Sequence, residues 1–305
     1  MSIVCVGQCA YDITFPIEEE LKENQKYRIY HKFECIGAPA ANASILCAMW
    51  GEDTMLISRI GTDIYGKQIK KGLESFHVCT KYLYEDREFA TPISAIIANA
   101  SNGYRTIFNC PGIQKALPFQ YPKENVEVIL VDGHELQASL EMLERHPKAI
   151  SIIDAGTYKD ETRLLAGKVD YLICSQDFAF QYTGIEVNIQ NPDTWKKTYI
   201  KLKNLHKKQI VVTLGDKGLL YEQDHQIAHM PAFLVTAIDS TGAGDIFHGA
   251  FAYCMKKGYA LVDALKISSA ASAISVQTVG GQPSIPSKMV VNEFLEVHRE
   301  NIILR

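Results

Sequence analysis

The chain has 305 residues, and its 31 Lys and Arg against 35 Asp and Glu give a formal net charge of −4 at pH 7. Hydrophobic residues make up 47% and charged residues 22%, which is ordinary for a globular protein and excludes a fibrous or disordered chain. Because no basic excess is present to neutralise phosphates, this composition argues against a dedicated nucleic-acid binder.

The N-terminal segment and the cysteines predict a cytoplasmic protein. The first residues have no basic start and Asp12 follows early, so they predict a strand and not a secretory signal. The longest uncharged stretch, residues 267–287, is rich in Ser, Gly and Pro and does not predict a membrane span. Eight scattered cysteines without a Cys-x-x-Cys pair favour reduced thiols over disulfides or a zinc site.

Short apolar runs alternate with amphipathic stretches along most of the chain. The runs predicted as strands are 3–6, 54–58, 126–131, 149–153, 171–174 and 209–213. The stretches predicted as helices are 40–49, 64–75, 136–145, 194–205 and 244–256. Such alternation predicts an α/β fold with a doubly wound, mostly parallel sheet that is flanked by helices.

Two regions break this alternation. Residues 26–34 and 92–108 are extended and partly polar, and the second contains a Ser-Asn-Gly turn at 101–103. They predict a small β-strand lid, made of segments of about 12–35 and 90–110 that are inserted in one domain of residues 1–305. By analogy at the level of the fold, such a lid suggests a homodimer.

The most distinctive segment is Asp239-Ser-Thr-Gly-Ala-Gly-Asp245, followed by small and apolar residues. A glycine-rich turn that opens a helix directs backbone N–H groups outwards at the positive end of the helix dipole, which predicts a phosphate site at residues 242–244. Asp245 lies in the first turn, where a carboxylate can take the proton of an acceptor hydroxyl during phosphoryl transfer. The alternative is a helix-capping acid beside an ordinary turn.

Other catalytic motifs find no support. Residues 61–68 have the spacing of a P-loop, but Gln68 stands where Ser or Thr is required, and Asp63 is predicted to cap the following helix. Residues 242–249 lack the third glycine of the dinucleotide fingerprint. Neither G-x-S-x-G nor H-E-x-x-H occurs.

Segment 239–249, DSTGAGDIFHG, resembles the C-terminal motif of the ribokinase-like (PfkB) carbohydrate kinases. Further motifs of that family occur in the same order along the whole chain: VGQCAYD at 6–12, GAPAANA at 37–43, RIGTDIYG at 59–66, TLGDKG at 213–218 and GGQPSIP at 280–286. The resemblance implies a ribokinase-like fold.

Two departures from the family pattern are present. Ala38 replaces the second glycine of the N-terminal motif, which removes backbone freedom beside the sugar site. Residues 175–178 read Ser-Gln-Asp-Phe where the family has N-x-x-E, a motif linked to Mg²⁺. The Ser-x-Asp-x-Ala pattern and the segment 103–107, Gly-Tyr-Arg-Thr-Ile, resemble the ketohexokinase-type branch.

The resemblance implies ATP- and Mg²⁺-dependent phosphorylation of a hydroxyl, expected to be primary, of a small sugar. Asp245 would be the general base, and backbone N–H groups of Gly242, Ala243 and Gly244 would form the anion hole. The residues implied to bind the sugar are Asp12, Gly37, Asn42 and Arg105. Those implied to line the nucleotide side are Thr213, Gly215, Gly218 and Gly281.

The resemblance leaves the metals less defined. Asp239, Thr241 and Ser284 match positions around the monovalent-cation site of some members, so binding of K⁺ stays open here. Asp177 could position Mg²⁺ through water, although little supports this. His134 could face the cleft, but a structural role is the favoured interpretation.

Two alternative functions stay open. A nucleoside kinase would need an aromatic or apolar surface against a base, which Tyr11 or Phe15 could supply. A catalytically weak, sugar-binding regulator of the same fold is favoured by the altered 175–178 motif and opposed by the intact Gly-Ala-Gly-Asp at 242–245.

Overall fold

The computed structural model of the protein describes residues 2–99, 101, 104–112, 117–123 and 125–298. In chain order the strands of this part are β1 (Ser2–Val6), β2 (Ala10–Ile17), β3 (Phe33–Gly37), β4 (Thr54–Gly61), β5 (Leu83–Asp86), β6 (Ile93–Asn99), β7 (Arg105–Cys110), β8 (Val126–Val131), β9 (Ile150–Ala155), β10 (Tyr171–Ser175), β11 (Gln209–Thr213), β12 (Leu219–Gln223) and β13 (Gln226–Met230).

Its helices are α1 (Pro39–Met49), α2 (Ile64–Ser75), α3 (Leu136–Arg145), α4 (Asp160–Ala166), α5 (Gln176–Thr183), α6 (Pro192–Leu205), α7 (Ala243–Lys256), α8 (Leu261–Ser275) and α9 (Lys288–Val297). No helix of the described residues combines the length and the apolar character that crossing a membrane requires.

Within the described residues, the larger sheet has nine strands in the order β13-β12-β11-β10-β9-β8-β1-β4-β5. Strands β1, β4, β5 and β8 to β11 pair in parallel, whereas β12 and β13 add an antiparallel hairpin at one edge. Since the parallel strands all end at the same edge, the loops that follow them meet there, as expected for an α/β site.

The larger sheet has a hydrophobic core on each face. Successive side chains of β1 alternate between the cores: Ile3 and Cys5 enter one, and Val4 and Val6 enter the other. The first core contains buried residues of α1, α7 and α8, and the second those of α3 to α6. This burial on both faces explains why the strands read as continuous apolar runs.

A second sheet of four described strands, in the order β3-β2-β6-β7, is formed by the two segments that the sequence predicts as a lid. Strand β2 is central and pairs antiparallel with β3 and parallel with β6. The predicted strand at 26–34 is largely wrong, because hydrogen-bonded strand begins only at Phe33. The preceding residues pair with no strand of the described chain, so an extended and partly polar pattern was not enough to predict a strand there.

The other predicted elements are confirmed to within two residues at each end, apart from β4, which extends three residues beyond its predicted end. Asp63 caps α2 as predicted, since its carboxylate accepts the Gly66 N–H at 2.9 Å. Of the predicted turn at 101–103, residues 102 and 103 lie outside the described residues, and so does the Gly103 end of the segment 103–107.

Candidate active site

The turn that opens α7 has a geometry that only glycine fits at residue 242. Gly242 has φ 77°, and a Cβ there would lie 2.8 Å from the backbone Cα of Gly281. No side chain caps α7 at this end, and a Cβ on Gly244 would meet no atom within 4 Å. The Ala243 N–H makes only a long contact, 3.4 Å, with Ser240 O. The first turn therefore offers backbone donors to open space, as an anion hole requires.

Asn42 lies directly against Asp245. Its Nδ2 donates a hydrogen bond of 2.7 Å to Asp245 Oδ2. The two side chains meet because α1 and α7 approach closely: a Cβ on Gly249 would lie 2.9 Å from the Cα of Ala43. Asn42 is 1% exposed, and its Oδ1 has no hydrogen-bond partner among the described residues. This oxygen is therefore a buried acceptor that the described residues leave unsatisfied.

The environment of Asp245 favours a base that works near neutral pH. The pKa of Asp245 is raised to about 7, chiefly by burial and then by the nearby charges of Asp154 and Asp12, although Asn42 and His248 oppose the rise. A carboxylate with such a pKa can accept a proton from a hydroxyl and still be deprotonated in an appreciable fraction of molecules.

Asp12 belongs to the central strand of the smaller sheet and faces the same region. A Cβ on Gly37 would lie 1.9 Å from Asp12 Oδ2, so the carboxyl group occupies the space that the glycine leaves. The pKa of Asp12 is raised to about 6, chiefly by burial; a hydrogen bond from Ser94 opposes the rise, and the charge of Asp239 adds to it. Predicted sugar-binding residues 12, 37 and 42 are thus brought together with Asp245.

Arg105 is the fourth predicted sugar-binding residue. It begins the exposed edge strand β7, and its Nη1 donates a hydrogen bond to Ser240 Oγ. This contact joins the smaller sheet to the segment that leads into the glycine turn. The guanidinium therefore lies at the rim of the site and not beside Asp245.

The positions predicted for a monovalent cation lie in two loops, residues 239–241 and 280–284, which hydrogen bonds join into a loop pair. Asp239 Oδ1 accepts the Thr241 N–H at 2.9 Å, and its Oδ2 accepts the Gly280 N–H at 2.8 Å. Ser284 Oγ donates to Gly281 O at 2.7 Å. Asp239 thereby ties the glycine turn to the 280–284 segment, which explains the close approach of Gly242 and Gly281.

The predicted nucleotide side lies at the carboxyl end of β11, which finishes at Thr213. Gly215 and Gly218 have φ 62° and 91°, and a Cβ on Gly218 would lie 2.0 Å from Met230 O. A cavity of about 710 Å³ beside this turn is lined by Glu186, Val187, Asn188, Ile189, Gln190, Thr194 and Lys217. The turn shares the sheet edge with Asp245 but makes no direct contact with it among the hydrogen bonds of the described residues.

Ser175, in the altered 175–178 motif, serves as a cap. Its Oγ accepts the Phe178 N–H at 3.0 Å and donates to Gly156 O at 2.7 Å, so both functions of the hydroxyl are used. Asp177 lies in the exposed first turn of α5. Among the described residues no cluster of three or more His, Cys, Asp or Glu side chains could hold a metal ion.

Sequence reasoning missed three buried residues at this edge. Asp132 Oδ2, just after β8, accepts the N–H groups of Gln8 at 2.8 Å and Ala40 at 3.3 Å. His248 Nδ1 lies 3.1 Å from Asp154 Oδ2 at the end of β9. The available signal was an aspartate at the end of each of two neighbouring parallel strands, where side chains gather at one edge.

His134 lies against Asp132. Its imidazole Nδ1 lies 3.2 Å from Asp132 Oδ1, and its backbone N–H donates a hydrogen bond of 2.9 Å to the same oxygen. Burial opposes the charged form of the imidazole, but the carboxylate raises the pKa of His134 above its ordinary value.

Ala38, the departure from the glycine pair, is strained. It precedes α1 with φ 79° and ψ 152°, a region that residues other than glycine rarely adopt. We expect Ala38→Gly to raise the free energy of unfolding by about 1 kcal/mol, because relief of about 1–3 kcal/mol of strain outweighs the extra entropy of the unfolded chain. Urea denaturation measures this change.

The matched control is Ala48→Gly in the last turn of α1, where the backbone is helical. There the same substitution should lower the free energy of unfolding by about 1 kcal/mol. A destabilised Ala38→Gly variant would show that the backbone at residue 38 is not strained.

Known proteins resemble this chain over nearly its whole length. The pfkB family carbohydrate kinase pattern matches residues 1–288. The chain belongs to the pfkB family of carbohydrate kinases. This pfkB kinase is therefore a sugar kinase, a phosphotransferase that uses an alcohol group as acceptor, and the α/β fold predicted from the sequence is confirmed.

Three relatives of the pfkB kinase illustrate the similarity. It is 26% identical to the ribokinase of Staphylococcus aureus (strain COL), over 95% of this chain and 98% of the relative. It is also 26% identical to the deoxyribokinase of Salmonella typhi, over 98% of this chain and 100% of the relative. The structure of Arabidopsis thaliana ribokinase complexed with ribose and ATP has a TM-score of 0.79 at 23% identity and covers 97% of this chain and 98% of its own.

Proposed function

We propose that this enzyme transfers the γ-phosphoryl group of ATP to a primary hydroxyl of a small sugar, with Asp245 as the general base. The observation that carries the proposal is the Asn42–Asp245 hydrogen bond of 2.7 Å at an uncapped helix start, with Asp12 facing it. The base Asp245, the backbone N–H groups of the helix start and the polar side chains of Asp12 and Asn42 thus lie close together, as phosphoryl transfer requires.

In this proposal each part has one task. Asp12 and Asn42 hold sugar hydroxyls, and Asp245 takes the proton of the attacking hydroxyl. The N–H groups at 242–244 stabilise charge on the transferred group, a role worth about 3 kcal/mol per donor in comparable sites. Arg105, at the rim, contacts the outer part of the sugar. Thr213, Gly215, Gly218 and Gly281 line the nucleotide side.

The described residues fit Mg²⁺ that arrives with ATP. Kinase magnesium is bound largely by phosphate oxygens and water, with at most one or two carboxylates, so a cluster of protein ligands is not needed. Asp177 can contact such an ion through water, whereas Ser175 is already used as a cap. Mg²⁺ supplies neutralisation of phosphate charge during transfer.

A monovalent cation also fits the loop pair around Asp239. Thr241 Oγ1 is buried and has no hydrogen-bond partner among the described residues, while the backbone N–H of Thr241 donates to the Asp239 carboxylate. Oxygen donors of this kind suit K⁺. We infer that K⁺ would stabilise the link between the glycine turn and residues 280–284.

The test is coupled ADP release with ATP, Mg²⁺ and K⁺ across ribose, deoxyribose, fructose, sugar acids and nucleosides. Fructose is included because the 175–179 pattern resembles the ketohexokinase-type branch. Strong turnover with one free sugar supports the proposal. Turnover with nucleosides alone would replace it by the nucleoside-kinase alternative, in which Tyr11 or Phe15 contacts the base. Sugar binding in a thermal-shift assay without any ADP release would establish the regulator alternative.

The activity should depend on pH through Asp245. Because the base must be deprotonated and its pKa is raised to about 7 by burial and by Asp154, kcat/KM should fall about tenfold per pH unit below that value and level off above it. A pH series at constant ionic strength and saturating MgATP measures this limb. A flat profile down to about pH 5 would contradict the role of Asp245.

We also infer a homodimer formed through the smaller sheet, in a reducing, cytoplasmic setting. Every residue of the edge strand β7 is exposed, including Ile107 and Phe108, and such an edge can pair with a second copy. All eight cysteines are free thiols, which fits a reducing compartment. Sedimentation equilibrium tests the dimer.

A further inference from the structure

A buried pair formed by His248 and Asp154 lies directly behind the catalytic turn. The His248 side chain is on α7, one turn after Asp245, and Asp154 ends strand β9. Their exposed fractions are 5% and 7%, and Nδ1 lies 3.1 Å from Oδ2. None of the motif-based roles uses either residue.

Both imidazole nitrogens of His248 face acceptors. Nδ1 also lies 2.6 Å from Gly244 O, and Nε2 lies 3.3 Å from Ile173 O on β10. A neutral imidazole has only one N–H, whereas the imidazolium has two, so this surrounding suits the charged form. Burial by itself lowers the pKa of His248, but Asp154 and the two carbonyls raise it above its ordinary value.

We propose that His248 is a positioning residue of the kinase reaction: its imidazolium, held by Asp154, fixes the Gly244 carbonyl in the catalytic turn and screens Asp245 from the Asp154 carboxylate. This inference rests on the proposed function of Asp245. The ring is bonded to the turn that provides the anion hole, to β9 and to β10, so it couples the helix start to two strands of the larger sheet.

The charged groups around His248 and Asp154 determine how loss of the imidazolium would change the pKa of Asp245. Asp154 on β9 and Asp12 on β2 raise the pKa of Asp245. His248 on the same helix and the hydrogen bond from Asn42 on α1 lower it. Asp154 also raises the pKa of His134, which follows β8, whereas Lys159 lowers it. Loss of the imidazolium leaves the Asp154 charge unbalanced beside Asp245, which disfavours ionisation of the base.

The experiment compares the pH dependence of kcat/KM in the wild type, His248→Gln, and the double variant Asp154→Asn/His248→Gln. We expect His248→Gln to move the acid limb upwards by about one pH unit, so that kcat/KM falls about tenfold at acidic pH and less in alkaline solution. The double variant, which removes both charges, should return the limb towards its wild-type position. His206→Gln is the matched control, because His206 is also buried but bonds Ala166 O, remote from the site.

An equal loss of kcat/KM at every pH in His248→Gln, or a limb that the double variant leaves displaced, would overturn the proposal. If the acid limb belonged to Asp12, His248→Gln would leave it at its wild-type position, because His248 is not among the groups that shift the pKa of Asp12. That result would overturn the proposal as well. NMR titration of the wild-type imidazole gives a readout that needs neither activity nor a variant. His248 should titrate above its ordinary pKa, and a neutral ring at neutral pH would refute the inference even if the kinase assay succeeds.

Discussion

Asp245→Asn should lower kcat by at least about a hundredfold and leave sugar affinity nearly unchanged. The amide has the size of the carboxylate and keeps an oxygen that can accept the 2.7 Å hydrogen bond from Asn42, so α1 and α7 should stay in place. What is lost is the ability to take the proton of the attacking hydroxyl. Steady-state ADP release and sugar titration by calorimetry measure the two effects separately.

Asp263→Asn is the matched control for this substitution. Asp263 lies in the first turn of α8 and is exposed, so it shares the helix position of Asp245 but not its surroundings. Its replacement should leave kcat within about twofold and cost at most about 1 kcal/mol of stability. Turnover near the wild-type level in Asp245→Asn would remove the general-base assignment, whatever the substrate.

Gly242→Ala should lower kcat by about a hundredfold as well, through a different cause. The added methyl group would lie 2.8 Å from the Gly281 Cα, so the turn must move away from the 280–284 segment, and its N–H groups move with it. Misplacing an anion-hole donor costs about 2.7–4 kcal/mol of transition-state stabilisation in comparable sites. Pre-steady-state phosphoryl transfer under saturating substrates measures the loss directly.

Gly258→Ala separates this effect from backbone strain. Gly258 follows the other end of α7 with φ 75°, almost the same as Gly242, yet a Cβ there would meet nothing within 4 Å. Both substitutions carry the cost of a left-handed alanine, about 1 kcal/mol, but only Gly242→Ala should affect kcat. Equal kcat values in the two variants would show that the turn at 242 does not form the anion hole.

The parallel core of the fold was predictable from sequence because its strands are buried on both faces. The run Val126–Val131 is apolar apart from Glu127, and its limits coincide with the observed strand. The smaller sheet was predicted less well. Residues 26–32 have an extended, partly polar pattern, but such a pattern does not show whether a partner strand is present.

The candidate site, too, was predicted from the sequence only in part. The convergence of Asp12, Asn42 and Asp245 was expected, since each belongs to a motif with its own local signature. Asp132, Asp154 and His248 were missed because their contacts join residues far apart in the chain, such as 8 with 132 and 154 with 248. No local pattern specifies such a pair, and only the order of strands in the sheet brings it together.

The Asp132 carboxylate has a consequence for how the two sheets are joined. The chain passes from β1 to β2 at residues 7–9 and returns from β3 to α1 at residue 38, and one oxygen of Asp132 accepts the N–H groups of Gln8 and Ala40 beside these two crossings. The larger sheet therefore holds both crossings through a single side chain that follows β8. A displacement of either crossing has to lengthen or break a hydrogen bond to Asp132, and the second crossing leads directly into the helix that carries Asn42.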